Sequence, residues 1–94
     1  MAVVIVNNMQ GADQSVYDEV SPRVMPDSRL PDGCQLHIAG PTDDGWRVIT
    51  VWDSEEQFQA FRDQKLIPAL QESGHADRVA PSIEARSVYK LITS

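Results

Sequence analysis

The stretch GWRVITVWDSEEQFQAF, residues 45–61, constrains the fold more than any other part of the chain. Arg47 to Asp53 is rich in β-branched and aromatic residues and holds no breaker, which reads as a strand. Ser54 fits a helix N-cap, and Gln57 stands three residues on, where a capping box places it. Glu55 and Glu56 put negative charge at the positive end of the helix dipole. Trp52 therefore stands at the end of a strand, just before a strand-to-helix turn, where side chains often line ligand clefts.

Outward from this anchor, residues 2–8 read as a first strand whose continuous Val and Ile imply burial on both faces. A turn at 9–11 leads to a helix capped near Asp13, with Val16, Tyr17 and Val20 on one face, and Pro22 is expected to stop it. Residues 22–33 carry three prolines and read as irregular surface chain. Residues 34–40 form a second strand. Residues 41–45 are a hairpin turn in which Gly45 is able to take a positive φ, and strand three returns antiparallel through 46–53. The second helix starts at Ser54, with a break or kink at 65–67 ahead of Pro68 and Gly74 as its C′ residue. A loop at 75–81 and a final strand within 82–93 complete the order βαββαβ. That order is the ferredoxin-like α+β plan: a four-stranded antiparallel sheet with two helices on one face. Ninety-four residues, 1–94, fit one such domain.

Strands one and three look apolar on both sides: Val4 and Val6 against Val3 and Ile5, Val48 and Trp52 against Ile49 and Val51. Two helices cover one face of the sheet and leave the other bare. An exposed apolar patch of that size is a liability, and the simplest cover is a second copy docked sheet to sheet, giving a homodimer. Composition narrows the partners. A net charge of −6 with scattered Lys and Arg argues against nucleic acid. The longest apolar run, residues 2–6, is too short to span a membrane. The single cysteine, Cys34, rules out an intrachain disulfide, and a cytoplasmic setting is the default expectation.

With the element order in place, the run Val51-Trp52-Asp53-Ser54-Glu55-Glu56-Gln57-Phe58 resembles the dimeric α/β-barrel superfamily, and within it the small proteins grouped with the antibiotic biosynthesis monooxygenases. The architectural match covers nearly the whole chain, and the local match about a dozen residues. The resemblance implies a homodimer whose two sheets form a barrel, with a pocket between sheet and helices in each subunit. Its members include cofactor-independent oxygenases of aromatic polyketides and haem-degrading relatives. Trp52 matches the family's strand-three tryptophan, and Asn7 stands where the haem-degrading branch carries an asparagine. The histidine often found on the second helix is absent, with Phe61 and Arg62 in that stretch. Val48 replaces the asparagine of the polyketide-oxidising branch.

The residues that carry chemistry are few. His37 is the only histidine in an expected strand and would serve as general base. A four-residue loop, 42–45, would set it beside Thr50 on the face of Trp52. Trp52 reads either as a pocket wall or as a packing anchor. Tyr17 and Tyr89 each offer a phenol, and Asn7 a hydrogen bond to a developing oxyanion. Cys34 and His37, at odd spacing on a strand, should point to opposite faces, so no metal site is expected. His75 follows the helix end and reads as solvated. No nucleotide or phosphate-loop pattern occurs, and no cofactor is expected. Two functions follow: an enzyme, a cofactor-free monooxygenase or an isomerase or cyclase acting on a small apolar or aromatic, polyketide-like molecule; or a non-catalytic dimer that binds a small ligand or a protein. In the first, His37 and Asn7 are catalytic and Trp52, Tyr17 and Thr50 bind substrate.

Overall fold

A computed structural model describes residues 2–77 and 79–93. The order is β1 (Val3–Gln10), α1 (Gln14–Val24), a short 3-10 turn (Pro26–Ser28), β2 (Cys34–Pro41), β3 (Gly45–Trp52), α2 (Glu55–Phe61), a π-turn (Arg62–Leu66), α3 (Ile67–Glu72) and β4 (Ala80–Ser87). The strands form one antiparallel sheet in the order β2-β3-β1-β4. This is the ferredoxin-like arrangement: β1 pairs with β3 and β4 at the centre of the sheet, and β2 lies at the edge beside β3.

Local chemistry explains where each helix starts. The Asp13 side chain accepts from the Val16 backbone N–H at 2.9 Å, and Ser54 accepts from Gln57 N–H at 3.2 Å. Both serve donors that the first helical turn leaves open. Glu55 and Glu56 occupy the first turn of α2, as the dipole favours. Gly74, at φ +79°, takes the left-handed position just past the end of α3.

Proline behaves differently from expectation in both helices. Pro22 does not end α1, which runs to Val24 and closes with Met25 N–H on the Ser21 carbonyl at 2.8 Å. Pro22 and Asp18 are both solvent-exposed, so the carbonyl left without a donor faces water at little cost. Before Pro68 the helix widens into a π-turn, with Ile67 N–H bonding back to the Arg62 carbonyl. The arm from Glu55 to Glu72 is therefore a continuous helical path with an extra residue in one turn, so the break or kink expected at 65–67 takes the form of a widened turn rather than a break.

Four other expectations change. Strand one runs Val3–Gln10, two residues further than expected, and β4 ends at Ser87, so Tyr89 lies beyond the sheet and fully exposed. Gly45 does not adopt a positive φ; it is needed because a Cβ there would strike the Met9 backbone carbonyl of β1. His75 is buried rather than solvated, with Nε2 2.8 Å from Glu19 Oε2 on α1. The expected 75–81 loop includes residue 78, which lies outside the described residues.

Strand register decides which side chains share a face. The rows across the sheet are His37–Thr50–Ile5–Ala85 and Ala39–Val48–Asn7–Ile83, all facing the helices. Trp52 and Ile5, both about 1% exposed, form a core with Phe58, and Trp46, Met9, Ala12 and Val79 form another. The opposite face carries Val4, Val6, Leu36, Ile38, Ile49 and Val51, and Ile38 there is 53% exposed.

Candidate functional site

Between sheet and helices lies a partly enclosed, largely apolar cavity of about 70 Å³. Its floor is the inner sheet face and its roof is α1 and the helical arm, with Val16, Val20, Leu66 and Leu70 among the lining side chains. Five of the expected site residues converge on it: Asn7, Tyr17, His37, Thr50 and Trp52. Tyr89 does not, since β4 ends before it.

The expected hairpin register holds, with His37 opposite Thr50. His37 Nε2 lies 2.7 Å from the Tyr17 hydroxyl, which links α1 to β2. With the phenol donating, Nε2 is the acceptor and the ring is the Nδ1–H tautomer. Burial pushes the His37 pKa below its ordinary 6.5, because a charged imidazolium is poorly solvated there. The neutral ring, able to accept a proton, is therefore the resting form at neutral pH. Tyr17 also stacks on Trp46 with ring centroids 5.4 Å apart, so its hydroxyl is aimed by packing as well as by the hydrogen bond.

Trp52 is both wall and core. Its ring packs edge-on against Phe58 at 5.7 Å and tilted against Phe61 at 5.2 Å, while its indole N–H donates to Thr50 Oγ1 at 2.8 Å. The indole donor and the Thr50 oxygen thus satisfy each other. Asn7 differs: it is 5% exposed, and its amide oxygen is buried with no hydrogen-bond partner among the described residues. A buried acceptor left open costs about 1–3 kcal/mol unless something fills it. The open atom is an acceptor, which suits a ligand hydroxyl.

Cys34 is a correction to the sequence reading. A register shift between Cys34 and Leu36 leaves Gln35 as an extra residue, and the bulge turns Cys34 onto the same face as His37. Both line the cavity. The thiol donates to the Leu36 carbonyl at 3.4 Å. Its pKa is raised, chiefly by burial and further by the Asp53 charge, against a smaller opposing pull from the Leu36 hydrogen bond, so it rests as an unreactive thiol. Among the described residues no three His, Cys, Asp or Glu side chains gather as a metal site. Nor is any helix there long and apolar enough to cross a membrane.

No known protein family and no curated protein matches the sequence. Solved structures do match. A variant of SnoaB, a cofactor-independent oxygenase from Streptomyces nogalater, superposes with a TM-score of 0.66 at 14% identity, covering 99% of this chain and 98% of that one. A Chloroflexus aurantiacus protein classed with the antibiotic biosynthesis monooxygenases gives 0.64 at 16% identity, covering 99% and 98%. A MhuD variant holding two manganese protoporphyrin IX molecules per active site gives 0.61 at 19%, covering 98% and 99%. The fold is that of the antibiotic biosynthesis monooxygenases. At these identities the likeness fixes architecture, and the chemistry must come from the cavity of this chain.

This cavity does not suit a porphyrin. It is about half the ~150 Å³ that a benzene-binding cavity offers. Its only lining histidine is His37, whose Nε2 is already bonded to Tyr17. His75 is bonded to Glu19 and does not line the cavity.

Proposed function

We propose that the protein is a cofactor-independent monooxygenase of small hydroxylated aromatic compounds, acting as a homodimer joined through the outer sheet face. The observation that carries this reading is the Tyr17–His37 hydrogen bond opening onto an otherwise apolar, partly enclosed cavity. An uncharged imidazole beside a phenol, half-buried against an apolar wall, is a proton acceptor held at one place.

His37 takes the hydroxyl proton of the substrate through the Tyr17 oxygen, as Tyr17 passes its own proton to Nε2. The substrate anion is electron-rich at a ring carbon, and that carbon forms a bond to dioxygen. The resulting hydroperoxide breaks its O–O bond and loses water, leaving a quinone. For 1-naphthol the balance is one naphthol plus one O2 giving one naphthoquinone plus one water. Dioxygen is the oxidant, and the apolar wall of Trp52, Val48 and Ile5 favours it and the ring over water. Asn7 accepts a hydrogen bond from a second polar hydrogen of the substrate. Trp52 and Thr50, bonded to each other, hold the floor in shape. Asn7 and His37 are two strands and two residues of register apart, about 12 Å between backbones at the usual spacings, and their side chains close part of that gap for a ring with substituents to span.

The dimer follows from the outer face. Val4, Val6, Leu36, Ile38, Ile49 and Val51 form a continuous apolar set across three strands, and an aligned second sheet covers such a surface.

The test is turnover of phenol and 1-naphthol in air and under nitrogen. Quinone formed in step with oxygen consumed, and lost by at least 10²-fold in His37→Ala, is the expected result. Binding of the ring compounds without oxygen uptake would overturn the enzyme reading in favour of a ligand-binding dimer.

A further inference from the structure

A second hollow lies outside the first. It is an open depression of about 570 Å³ between the proline-rich chain after α1 and the helical arm, lined by Asp27, Arg29, Asp32, Gln57, Gln64 and Lys65. Three residues, Val24, Pro31 and Phe61, line both hollows, so a single layer of side chains separates them. The two spaces differ in kind. The inner one is apolar and partly enclosed. The outer one is open to solvent, and among the described residues none of its four charged side chains is held in an ion pair.

The three wall residues are not equally free. Pro31 is ring-locked, and its carbonyl accepts from Cys34 N–H at 3.0 Å at the start of β2. Val24 is the last residue of α1 and is stiff at χ1. Phe61 is half-buried, turns about two side-chain bonds, and is the last residue of α2, adjoining the π-turn Arg62–Leu66. π-turns inside helices are frequent at functional sites, and here the widened turn follows directly after the wall residue. The Phe61 ring rests on Trp52 at 5.2 Å, so its displacement joins the cavity floor to the outer depression.

We propose that Phe61 is the size gate of the site, and that the part of a ligand too large for the inner cavity occupies the outer depression once Phe61 swings aside. This rests on the reading of the inner cavity as the ring site. It accounts for how a cavity of about 70 Å³, half that of a benzene-binding one, admits a ring compound larger than itself. It also assigns Phe61, which in the sequence is only one of the aromatics on an amphipathic helix, a role in selecting substrate.

Equilibrium binding under nitrogen tests this without any turnover, with fluorescence of the two tryptophans, both on the inner sheet face, as the signal. Phenol and 1-naphthol are titrated against the wild type, Phe61→Ala and Phe61→Leu. The expected result is that the affinity ratio of 1-naphthol to phenol rises at least tenfold in Phe61→Ala and by a smaller factor in Phe61→Leu. Phe61→Leu keeps an apolar contact on Trp52 and decides the matter alone if the alanine variant does not fold. Binding of both phenols with an unchanged ratio in a folded variant would overturn the gate and leave the ring site standing. Binding of neither phenol to any of the proteins would overturn both.

Discussion

The Tyr17 hydroxyl and His37 Nε2 lie 2.7 Å apart, joining the first helix to the edge strand β2 across the roof of the cavity. Replacing Tyr17 by Phe keeps the ring that stacks on Trp46 and removes only the hydroxyl. His37 then loses its partner in a half-buried setting, at a cost of about 1 kcal/mol. The expected outcome is a fall in kcat of at least tenfold with a small loss of denaturant stability. Equal kcat in the two proteins would show that the phenol plays no part in proton transfer.

His37 should set the acid limb of the pH profile. Its folded pKa is depressed by burial, so the neutral base persists below the ordinary 6.5 and activity falls only at lower pH. The stability linkage has the same origin. In the unfolded chain His37 gains a proton near 6.5 while the folded ring resists it, so the stability contribution is present above that pH and is lost as pH falls toward the folded pKa. Chemical denaturation between pH 8 and 5, compared with His37→Gln, should show a shallower acid slope in the variant.

Asn7 separates stability from function. Its amide oxygen is buried and unpartnered, which is a cost in the empty protein. Asn7→Leu removes that cost at similar volume, so the variant should be as stable as the wild type or more so by about 1 kcal/mol. Affinity for a dihydroxylated aromatic should fall at least fivefold. Loss of stability in Asn7→Leu would mean that the oxygen is satisfied in solution and does not await a ligand.

The Trp52 indole N–H donates to Thr50 Oγ1 at 2.8 Å, one of the most buried side-chain hydrogen bonds described. Thr50→Val is nearly isosteric and strands that donor, so it should cost about 1–3 kcal/mol, whereas Thr50→Ser keeps an acceptor. Urea denaturation of the two variants distinguishes them, and a Thr50→Val protein no less stable than Thr50→Ser would remove the bond from the account of the core.

The element order and the meeting of His37, Thr50 and Trp52 are legible in the sequence because they rest on strong local rules. The Ser54 cap with Gln57 starts α2, and a four-residue turn after Pro41 sets the β2–β3 register. What escapes such rules depends on tertiary context. The bulge at Gln35 breaks alternation for one residue and carries no Gly or Pro to announce it, so strict alternation puts Cys34 on the wrong face. Pro22 reads as a helix stop unless the exposure of the carbonyl one turn back is known. The burial of His75 needs Glu19 of α1 as a neighbour, 56 residues away in sequence. The limit of β4 at Ser87 is equally hidden, since the alternation of apolar residues continues through Tyr89 and Leu91. The cavity volume and the thin wall at Phe61 are properties of packing alone, beyond any pattern in the chain.

The outer sheet face gives the last prediction. Ile38 sits on edge strand β2 between Leu36 and Gly40, 53% exposed and paired with Ile49. Were this face solvated in the working protein, a charge there would be harmless, since surface substitutions usually shift stability by less than about 0.5 kcal/mol. Between two sheets, a carboxylate introduced at this position would instead be desolvated in both copies at once. Ile38→Glu should therefore convert a dimer to a folded monomer. Sedimentation velocity across a concentration series reads the change directly. A variant that sediments as the wild type does at every concentration would place the dimer interface elsewhere. The cavity is walled by the helices and the inner sheet face of one chain. The monomeric variant should accordingly keep ring binding, and any loss of affinity on dissociation would measure how far the second sheet steadies that floor.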